Sequence, residues 1–537
     1  MKIFRKPVSL SILSGLLLWA AWPPTPYSTF LIFIGFVPML IAMEKIIRSD
    51  IRKKGTRLFA TTFIGFFIWN TLSIYWVYNS IKTIGPLIAV PISFIPYSLG
   101  PLLMSSACWF YYRLREKTGV KWALAGFACF WMSFEFLHQW WDLAFPWMTL
   151  GNAFAVSHQW IQWYEFTGVY GGSLWILAAN MFFFLAYGRY ANGQKPAATR
   201  QLAFGLMIVL LPLVASLWRY FTFHEKQDPA NIVVVQPNID PYLKSGGIPE
   251  REQFARLVQL TDSVAQPNTE FILWPETALP QELDEDEIRQ TPQYADIRRF
   301  LNRYKNGNLL TGIESYKIYK NDATATAQPI PDGRWFDRFN AAANFENSSR
   351  VQFYHKSKLV PGVEQMPFGS ALSFLKPVFR HLGGSTGGYG KQPEPGVFYA
   401  QSGIGTAPVI CYESIWGDYV SGYIKKGAQF ISIITNDGWW ENSPGKDQHY
   451  LYAKLRAIEC RRWVARSANT GISCFINERG DVVQKTAWWV PAALNQTINL
   501  NEQLTFYVRF PDLLVWFALA GSVVFLLRIL ILKFKRT

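Results

Sequence analysis

A cysteine at the end of a short apolar run is the residue best suited to chemistry in this chain. Residues 406–410 (TAPVI) have the composition of a strand, and they are followed directly by Cys411, Tyr412 and Glu413. A strand that turns sharply here holds the sulfur on a rigid backbone while exposing it, which suits a nucleophile. A buried structural cysteine is the alternative and the commoner fate of this residue type. The rest of the chain must decide between the two roles.

Two further polar side chains follow strand-like runs. Glu276 comes after residues 271–275 (FILWP), and Lys356 follows residues 351–354 (VQFY) within the segment YHK. The carboxyl ends of parallel strands meet at one edge of an α/β sheet, where ligands bind. A thiol needs a base or a nearby cation at neutral pH. Glu276 would take the proton of Cys411, and Lys356 would stabilise the thiolate and then an oxyanion. Each residue taken alone also has an ordinary structural explanation. Glu276 could be a neighbour of a helix cap, and Lys356 could be a charge on the protein surface.

The segment that carries these residues, 222–510, predicts an α/β domain. Continuous β-branched runs such as residues 231–236 (NIVVVQ) are typical of strands buried on both faces. Several strands follow one another without a helix between them, which favours paired sheets. The predicted strands are 231–236, 271–274, 309–313, 340–346, 351–354, 407–411, 430–435, 464–467 and 473–477, and the predicted helices are 250–265, 297–304, 416–425 and 449–463. Residues 370–390 contain a glycine-rich run and predict a mobile loop.

The remainder of the chain has the composition of a membrane protein. Half of the 537 residues are hydrophobic and 17% are aromatic, which is too apolar for an ordinary soluble enzyme of this length. A cleaved signal peptide would explain only the first apolar run, and buried helices of a large soluble protein are the weaker alternative. The eight predicted spans are residues 8–21, 30–43, 59–78, 86–111, 122–137, 172–187, 202–218 and 513–532.

The distribution of basic residues predicts which side of the membrane the domain occupies. Lys and Arg lie in alternate connecting loops, around residues 45–57, 113–121 and 189–200, and in the C-terminal tail. The intervening loops carry almost none, so the positive-inside rule puts residues 222–510 outside the cytoplasm. This pattern explains much of the net charge of +15 without a nucleic-acid partner. The five cysteines form no CxxC pair, so no zinc site is indicated.

One outer loop is unusually rich in tryptophan. Residues 138–147 read HQWWDLAFPW, and Glu135 lies near the outer end of the preceding predicted span. An aromatic belt at the membrane interface explains the tryptophans, and a wall or entry for a lipid substrate is the alternative. An ionisable residue in a span is more often functional or partnered than idle.

Three segments together resemble the nitrilase, or carbon–nitrogen hydrolase, superfamily. They are Trp274-Pro275-Glu276, the stretch from Tyr354-His355-Lys356 to Leu359-Val360-Pro361, and Cys411-Tyr412-Glu413. The resemblance implies an αββα sandwich that carries a Glu–Lys–Cys triad formed by Glu276, Lys356 and Cys411. The unpaired Cys411 would then be a nucleophile and not a structural residue.

With seven predicted spans before this domain and one after it, nearly the whole chain resembles the apolipoprotein N-acyltransferase family of Gram-negative inner membranes. The expected fold class is therefore α/β, a nitrilase-like αββα sandwich inserted between transmembrane helices, with parts at 1–221, 222–510 and 511–537. Supporting motifs are Gln236-Pro237-Asn238, Phe145-Pro146-Trp147 with Gly151, Gly168-Val169-Tyr170-Gly171, residues 435–440 (TNDGWW), Arg456-Ala457-Ile458-Glu459 and Asn469-Thr470-Gly471.

The resemblance implies a phospholipid-dependent acyltransferase without cofactor or metal. Cys411 would attack an ester of a phospholipid, typically phosphatidylethanolamine, to form a thioester. The α-amine of an apolipoprotein's N-terminal diacylglyceryl-cysteine would then take the acyl chain. The family's supporting positions fall on Glu364, Tyr412, Glu413, Asn436, Trp439, Trp440 and Trp147. Residues 359–364 read LVPGVE where the family usually has LVPFGE, a departure that concerns the lipid-entry loops.

A long acyl chain on Cys411 has to remain near the bilayer, because each buried methylene contributes about 0.8 kcal/mol. We therefore expect the mouth of the site to face the membrane. Residues 370–390 and Trp439-Trp440 should border it, with Phe145-Pro146-Trp147 on the membrane side. The alternative is that these loops are only interfacial anchors.

Two other functions remain open on the sequence alone. A membrane-tethered amidase that hydrolyses a small amide needs the same triad but gives no reason for the seven preceding spans. A transporter or scaffold with an outer binding module should carry charges and broken helices within its spans, and few such features are present.

Overall fold

The computed structural model of the chain describes residues 6–534 except 245, 321–323, 325 and 369–387. Most of the predicted 370–390 loop therefore lies outside the described residues. The chain divides into two compact units. One runs up to Thr222 and resumes at Phe510, and the other spans Phe223–Arg509.

The first unit is helical. Its helices are α1 (Pro7–Ala20), α2 (Val37–Arg48), α3 (Lys54–Ile74), α4 (Pro86–Arg115), α5 (Val120–Leu137), α6 (Tyr164–Ala191), α7 (Lys195–Thr222) and a C-terminal helix (Leu513–Phe534). Among the described residues, seven helical segments are long and apolar enough to cross a membrane, whereas α1 is apolar but shorter. The chain is thus a helical membrane protein, and the count of eight spans stays a prediction.

Glu135 is partnered inside this unit. Its carboxylate accepts hydrogen bonds from Trp131 Nε1 at 2.9 Å and from the main-chain N–H of Leu150 at 2.8 Å. The second contact ties α5 to the 3-10 helix Leu150–Ala155, which follows the tryptophan-rich loop. Glu135 therefore has a structural role in holding this loop against the helices.

The first sheet of the second unit combines parallel and antiparallel strands. Its strand order is β14-β1-β2-β4-β6-β5, with β3 beside β4 and β7 beside β6. Strands β1, β2 and β4 are parallel, β6 is antiparallel to β4, and β7 is antiparallel to β6. The carboxyl ends of β2 and β7 consequently point to the same edge. The strands are β1 (Pro229–Gln236), β2 (Thr269–Leu273), β3 (Leu279–Asp284), β4 (Asn308–Tyr319), β5 (Gln328–Pro329), β6 (Trp335–Glu346), β7 (Val351–His355) and β14 (Ala492–Asn499).

The second sheet has the order β13-β12-β11-β10-β9-β8. Its three central strands β9, β10 and β11 are parallel, so their carboxyl ends also share one edge. The strands are β8 (Phe398–Tyr399), β9 (Gly405–Ile410), β10 (Phe430–Thr435), β11 (Val464–Ala468), β12 (Cys474–Ile476) and β13 (Val482–Lys485). The residues of β9, β10 and β11 are all buried, as expected for strands covered on both faces.

The two sheets form the inside of a four-layer sandwich. Phe271 and Phe430 from facing strands lie 5.4 Å apart between ring centroids, and Ser467 Oγ donates to the main-chain oxygen of Val235 at 2.7 Å. The apolar faces of α8 (Glu250–Asp262) and α9 (Pro292–Leu301) cover the first sheet. Helices α10 (Gly417–Lys425) and α11 (Pro444–Cys460) cover the second. The predicted αββα fold is confirmed.

All nine predicted strands are present, although β4 and β6 extend further than expected. Strands β3, β5, β8, β13 and β14 were not predicted. Residues of β14 such as Asn495 and Gln496 are polar, so its sequence lacks the apolar run of a buried strand. Its pairing partner β1 lies more than 250 residues away, which local patterns do not reveal.

Candidate active site

The chain turns sharply at Cys411. Strand β9 ends at Ile410, Cys411 has φ of 49°, and a 3-10 turn covers Cys411–Ile415. A left-handed conformation is uncommon for a residue with a Cβ and persists only where its surroundings enforce it. The main-chain oxygen of Cys411 accepts a hydrogen bond from Ser414 Oγ at 2.8 Å. The expected elbow is therefore present.

Glu276 lies on the turn after β2 and accepts hydrogen bonds at both carboxylate oxygens. Oε1 accepts from Lys356 Nζ at 3.1 Å and from Asn340 Nδ2 at 2.8 Å, and Oε2 accepts from the main-chain N–H of Asn436 at 3.1 Å. Strand β4 passes close to this turn at Gly312, where an added Cβ would lie 2.5 Å from the Cα of Glu276. Only glycine permits that approach.

Lys356 follows β7 directly, and its ammonium group is buried between two carboxylates. Nζ donates to Glu276 Oε1 at 3.1 Å and to Glu364 Oε1 at 2.8 Å, and the side chain is 1% exposed. Burial lowers the pKa of Lys356, but the two carboxylates outweigh this effect and hold the pKa well above its usual range. An ammonium has three N–H groups. Among the described residues two of them have protein acceptors, which leaves one for a reacting group.

The thiol of Cys411 is neutral at rest. Burial raises its pKa well above the usual range, and the carboxylate of Glu276 adds to this rise while Lys356 opposes it. Glu276, Lys356 and Cys411, which the sequence analysis put together, thus act on one another electrostatically. Forming a thiolate here requires a base that removes the proton during the reaction.

Glu364 joins Glu276 and Lys356, as the sequence analysis expected of a supporting carboxylate. Its Oε1 accepts from Asn340 Nδ2 at 2.8 Å as well as from Lys356, and its Oε2 accepts from the main-chain N–H of Val360 at 2.8 Å. Asn340 therefore donates to both carboxylates at once.

Glu413 has a different position from Glu364. It is fully buried and accepts five hydrogen bonds, from Tyr354 Oη, Tyr423 Oη and the main-chain N–H groups of Ser357, Lys358 and Ile410. These contacts connect the end of β9 to the loop that carries Lys356. Glu413 thus fixes the distance between two strand ends. Burial raises the pKa of Glu413, although the hydrogen bonds from Ile410, Tyr354 and Ser357 oppose the shift.

The other expected site residues lie in several places. Tyr412 is buried and packs against Trp416, with ring centroids 4.6 Å apart. Asn436 follows β10 and contacts Glu276 through its main chain. Trp439 is 38% exposed and packs edge-on against Tyr242, with ring centroids 5.2 Å apart.

Trp440 and Trp147 are more enclosed. Trp440 lies against the ring of His449, with centroids 5.1 Å apart. Trp147 belongs to the helical unit, where it is fully buried and packs against Trp76 at 4.8 Å between centroids. A role for Trp147 in substrate binding stays a prediction.

Three polar residues near the site were not predicted. Asn340 lies within β6 and His449 within α11, so no strand end in the sequence marks either of them. Lys244 is buried and donates to the main-chain oxygen of Glu276 at 3.1 Å and to Thr277 Oγ1 at 2.9 Å. Burial lowers the pKa of Lys244 to about 8, although the nearby Glu276 opposes the shift. Within the described part of the chain, no cluster of His, Cys, Asp and Glu could hold a metal ion.

Comparison with known proteins gives two family matches that together cover most of the chain. Residues 14–182 match the model described as the apolipoprotein N-acyltransferase N-terminal domain, and residues 234–502 match the carbon–nitrogen hydrolase model. The apolipoprotein N-acyltransferase of Chlorobaculum tepidum is 30% identical over 95% of this chain and 94% of its own length. That of Geobacter metallireducens is 27% identical over 97% of this chain and 94% of its own. The crystal structure of Saccharomyces cerevisiae Nit3, described as a member of branch 10 of the nitrilase superfamily, matches 53% of this chain and 96% of that chain, with 14% identity and a TM-score of 0.36.

The shared donor Asn340 provides a first prediction. Replacing it with alanine removes one hydrogen-bond donor from two buried carboxylates, and a hydrogen bond to a charged group contributes about 1.5–3 kcal/mol. We expect Asn340→Ala to lower the melting temperature of the purified protein by several degrees.

Asn344 on the same strand supplies the matched control, because both polar atoms of its buried side chain lack a partner among the described residues. Asn344→Ala should change the melting temperature much less. Equal shifts in thermal unfolding of the two variants would contradict the role assigned to Asn340.

Proposed function

The chain belongs to the apolipoprotein N-acyltransferase family, a family of membrane enzymes that N-acylate lipoproteins, and on this premise we propose that Cys411 carries the acyl chain between donor and acceptor. The observation that carries the proposal is the buried ammonium of Lys356, which lies between Glu276 and Glu364 and acts electrostatically on Cys411. This arrangement provides a nucleophile, a proton acceptor and a fixed positive charge within one site.

In the first half-reaction Cys411 attacks the carbonyl carbon of a phospholipid ester. Glu276 accepts the thiol proton as the carbon–sulfur bond forms, and the remaining N–H of Lys356 donates to the oxyanion of the tetrahedral intermediate. The intermediate then collapses, the carbon–oxygen bond breaks, and Glu276 returns the proton to the leaving alkoxide. The products are a lysophospholipid and a thioester on Cys411.

In the second half-reaction an amine replaces the thiol. The α-amine of the acceptor's N-terminal diacylglyceryl-cysteine attacks the thioester carbonyl, and Lys356 again stabilises the oxyanion. Glu276 takes a proton from the attacking nitrogen and delivers it to the departing sulfur. An amide forms and the Cys411 thiol is restored, so the enzyme needs no cofactor.

We further propose that the donor is phosphatidylethanolamine and that the reaction takes place on the periplasmic side of a bacterial inner membrane. Basic residues in alternate loops of the helical unit support this orientation. A small-amide hydrolase is the less favoured reading, because the N-terminal match at residues 14–182 belongs to the acyltransferase.

The lipid is proposed to enter beside Trp439. The 3-10 helix Asp437–Trp440 begins directly after Asn436, whose N–H contacts Glu276. Trp439 and the neighbouring Tyr242 and Leu243 are 38%, 45% and 50% exposed, which is unusual for large apolar side chains so close to a buried polar site. An acyl chain that lies against these side chains would remain shielded from water.

Cys411→Ala is expected to abolish the acyl-enzyme. Wild-type protein incubated with phospholipid but without an acceptor should gain the mass of one acyl chain, and the alanine variant should gain none. Cys474→Ala is the matched control, since Cys474 is a second free and buried cysteine of the same unit, and it should retain the adduct. An acyl adduct on intact Cys411→Ala protein would exclude this nucleophile.

Glu276→Gln is expected to slow formation of the acyl-enzyme about 10²–10⁴-fold, the usual contribution of a general base. Glutamine keeps the size of the side chain, and phospholipid binding should therefore persist. Single-turnover rates at saturating donor measure the effect. A loss below tenfold at neutral pH would assign the base to another carboxylate, and Glu364 is the one that also contacts Lys356.

Trp439→Ser should slow acylation and increase hydrolysis of the thioester, because water gains access to the acyl carbonyl. Both half-reactions can be followed with a labelled phospholipid and a lipopeptide. Tyr399→Ser is the control: Tyr399 is similarly exposed, at 37%, but lies on β8, which pairs with the opposite end of β9 from Cys411. Wild-type rates of acylation, transfer and hydrolysis in Trp439→Ser would reject this entry route.

A further inference from the structure

A row of buried polar side chains lies behind Cys411 and has no part in the proposed chemistry. Ser414, His449, Asp437 and Arg466 are each at most 1% exposed. They come from the turn after β9, from α11, from the turn after β10 and from β11. Because buried polar groups are costly unless they are hydrogen-bonded, such a row requires a structural or functional reason.

One end of this row is anchored by an ion pair. Arg466 Nη2 lies 2.5 Å from Asp437 Oδ2, and Thr435 Oγ1 donates to Asp437 Oδ1 at 2.8 Å. Burial raises the pKa of Asp437, but Arg466 and His449 outweigh it and lower the pKa to about 2. The carboxylate is therefore ionised and acts only as an acceptor.

The ring of His449 joins this ion pair to the backbone of Cys411. Nδ1 lies 2.9 Å from Asp437 Oδ1 and 3.0 Å from Arg466 Nη2, so that edge of the ring is surrounded by the ion pair. Nε2 lies 3.2 Å from the main-chain oxygen of Cys411 and 3.0 Å from Ser414 Oγ. Trp440 packs against the ring and restricts its rotation.

The partners of Nε2 require a hydrogen on this nitrogen. The carbonyl oxygen of Cys411 is only an acceptor, and a bare Nε2 facing it would place two lone pairs against each other. The single hydroxyl hydrogen of Ser414 is directed to the same carbonyl at 2.8 Å. With a hydrogen on Nε2, the carbonyl receives two donors, one from His449 and one from Ser414.

We propose that His449 is a positioning residue for the acyl transfer: it donates from Nε2 to the main-chain oxygen of Cys411 and thereby holds the nucleophile in its left-handed conformation. The proposal rests on the proposed role of Cys411. Asp437 and Arg466 orient the ring, and Ser414 supplies the second donor to the same carbonyl. Without the donor at Nε2, the strained φ of 49° relaxes and the sulfur leaves its position beside Glu276 and Lys356.

A second nucleophile is excluded by the same geometry. Ser414, His449 and Asp437 have the hydrogen-bond order of a serine–histidine–aspartate triad. However, Ser414 is 1% exposed and its hydroxyl donates to a main-chain carbonyl, so it is not available to a substrate.

Two amide variants test the inference. The side-chain nitrogen of glutamine reaches the place of Nε2, whereas that of asparagine reaches the place of Nδ1. His449→Gln therefore keeps the donor to Cys411, and His449→Asn keeps only the contact with Asp437. Both variants are measured in the full-length protein by single-turnover acylation at several phospholipid concentrations, by the rate at which iodoacetamide alkylates Cys411, and by thermal unfolding.

We expect His449→Gln to acylate at least tenfold faster than His449→Asn at saturating phospholipid, with similar KM values and melting temperatures. Alkylation of Cys411 by iodoacetamide should likewise be faster in His449→Gln than in His449→Asn. A faster asparagine variant would show that the contact with Asp437 is the one that matters, and equal rates would show that the donor to Cys411 is not needed. Either result would overturn the inference.

A measurement on the wild-type protein keeps the test informative if either variant fails to fold. In ¹⁵N NMR spectra of histidine-labelled protein, Nε2 of His449 should have the shift of a protonated ring nitrogen, and an unprotonated Nε2 would overturn the inference. This readout does not involve turnover. Failure of the nucleophile assignment, which Cys411→Ala reveals, is therefore distinguishable from failure of the role of His449.

Discussion

The structure of the site depends on burying one ammonium group between two carboxylates. A lone buried charge is strongly unfavourable, and removing one partner from a buried pair leaves the other uncompensated. Lys356 therefore requires Glu276 and Glu364, and the excess negative charge requires donors in turn. Asn340 Nδ2 and the N–H groups of Val360 and Asn436 provide them. The loops after β7 and β10 are held in place by this requirement.

These contacts also explain how two separate sheets produce one site. Glu276 and Lys356 belong to the first sheet, whereas Cys411 and Asn436 follow strands of the second. The hydrogen bond from the Asn436 N–H to Glu276 crosses between the sheets, and Glu413 joins the end of β9 to the loop after β7. These bonds between the sheets fix how the two sheets are positioned against each other at the end where the chemistry is proposed to occur.

The fold and the positions of the three predicted catalytic residues were accessible from the sequence because their signals are local. Glu276, Lys356 and Cys411 each follow an apolar run that reads as a strand. Asn340 gives no such signal, since it lies inside β6 and acquires two carboxylate partners only when β6, β7 and the turn after β2 come together.

Glu413, unlike Asn340, was identified from the sequence, but its contacts were not. The resemblance identified it as a site residue, and only the structure shows the five hydrogen bonds through which it joins the end of β9 to the loop after β7. Strand β14 was missed for the same reason as Asn340, because its pairing with β1 is remote in sequence. Long-range contacts therefore separate the residues that a sequence reveals from those that only a structure does.

The neutral resting thiol has a consequence for an enzyme whose proposed location is oxidising. The thiolate, not the thiol, is the form that oxidants attack and that exchanges with disulfides. Burial and the carboxylate of Glu276 raise the pKa of Cys411, so very little thiolate exists between turnovers. A cysteine with a lowered pKa would be a faster nucleophile at rest but would also be exposed to oxidation. In the proposed mechanism Glu276 takes the proton only as the new carbon–sulfur bond forms, and this coupling of deprotonation to arrival of the ester avoids the conflict.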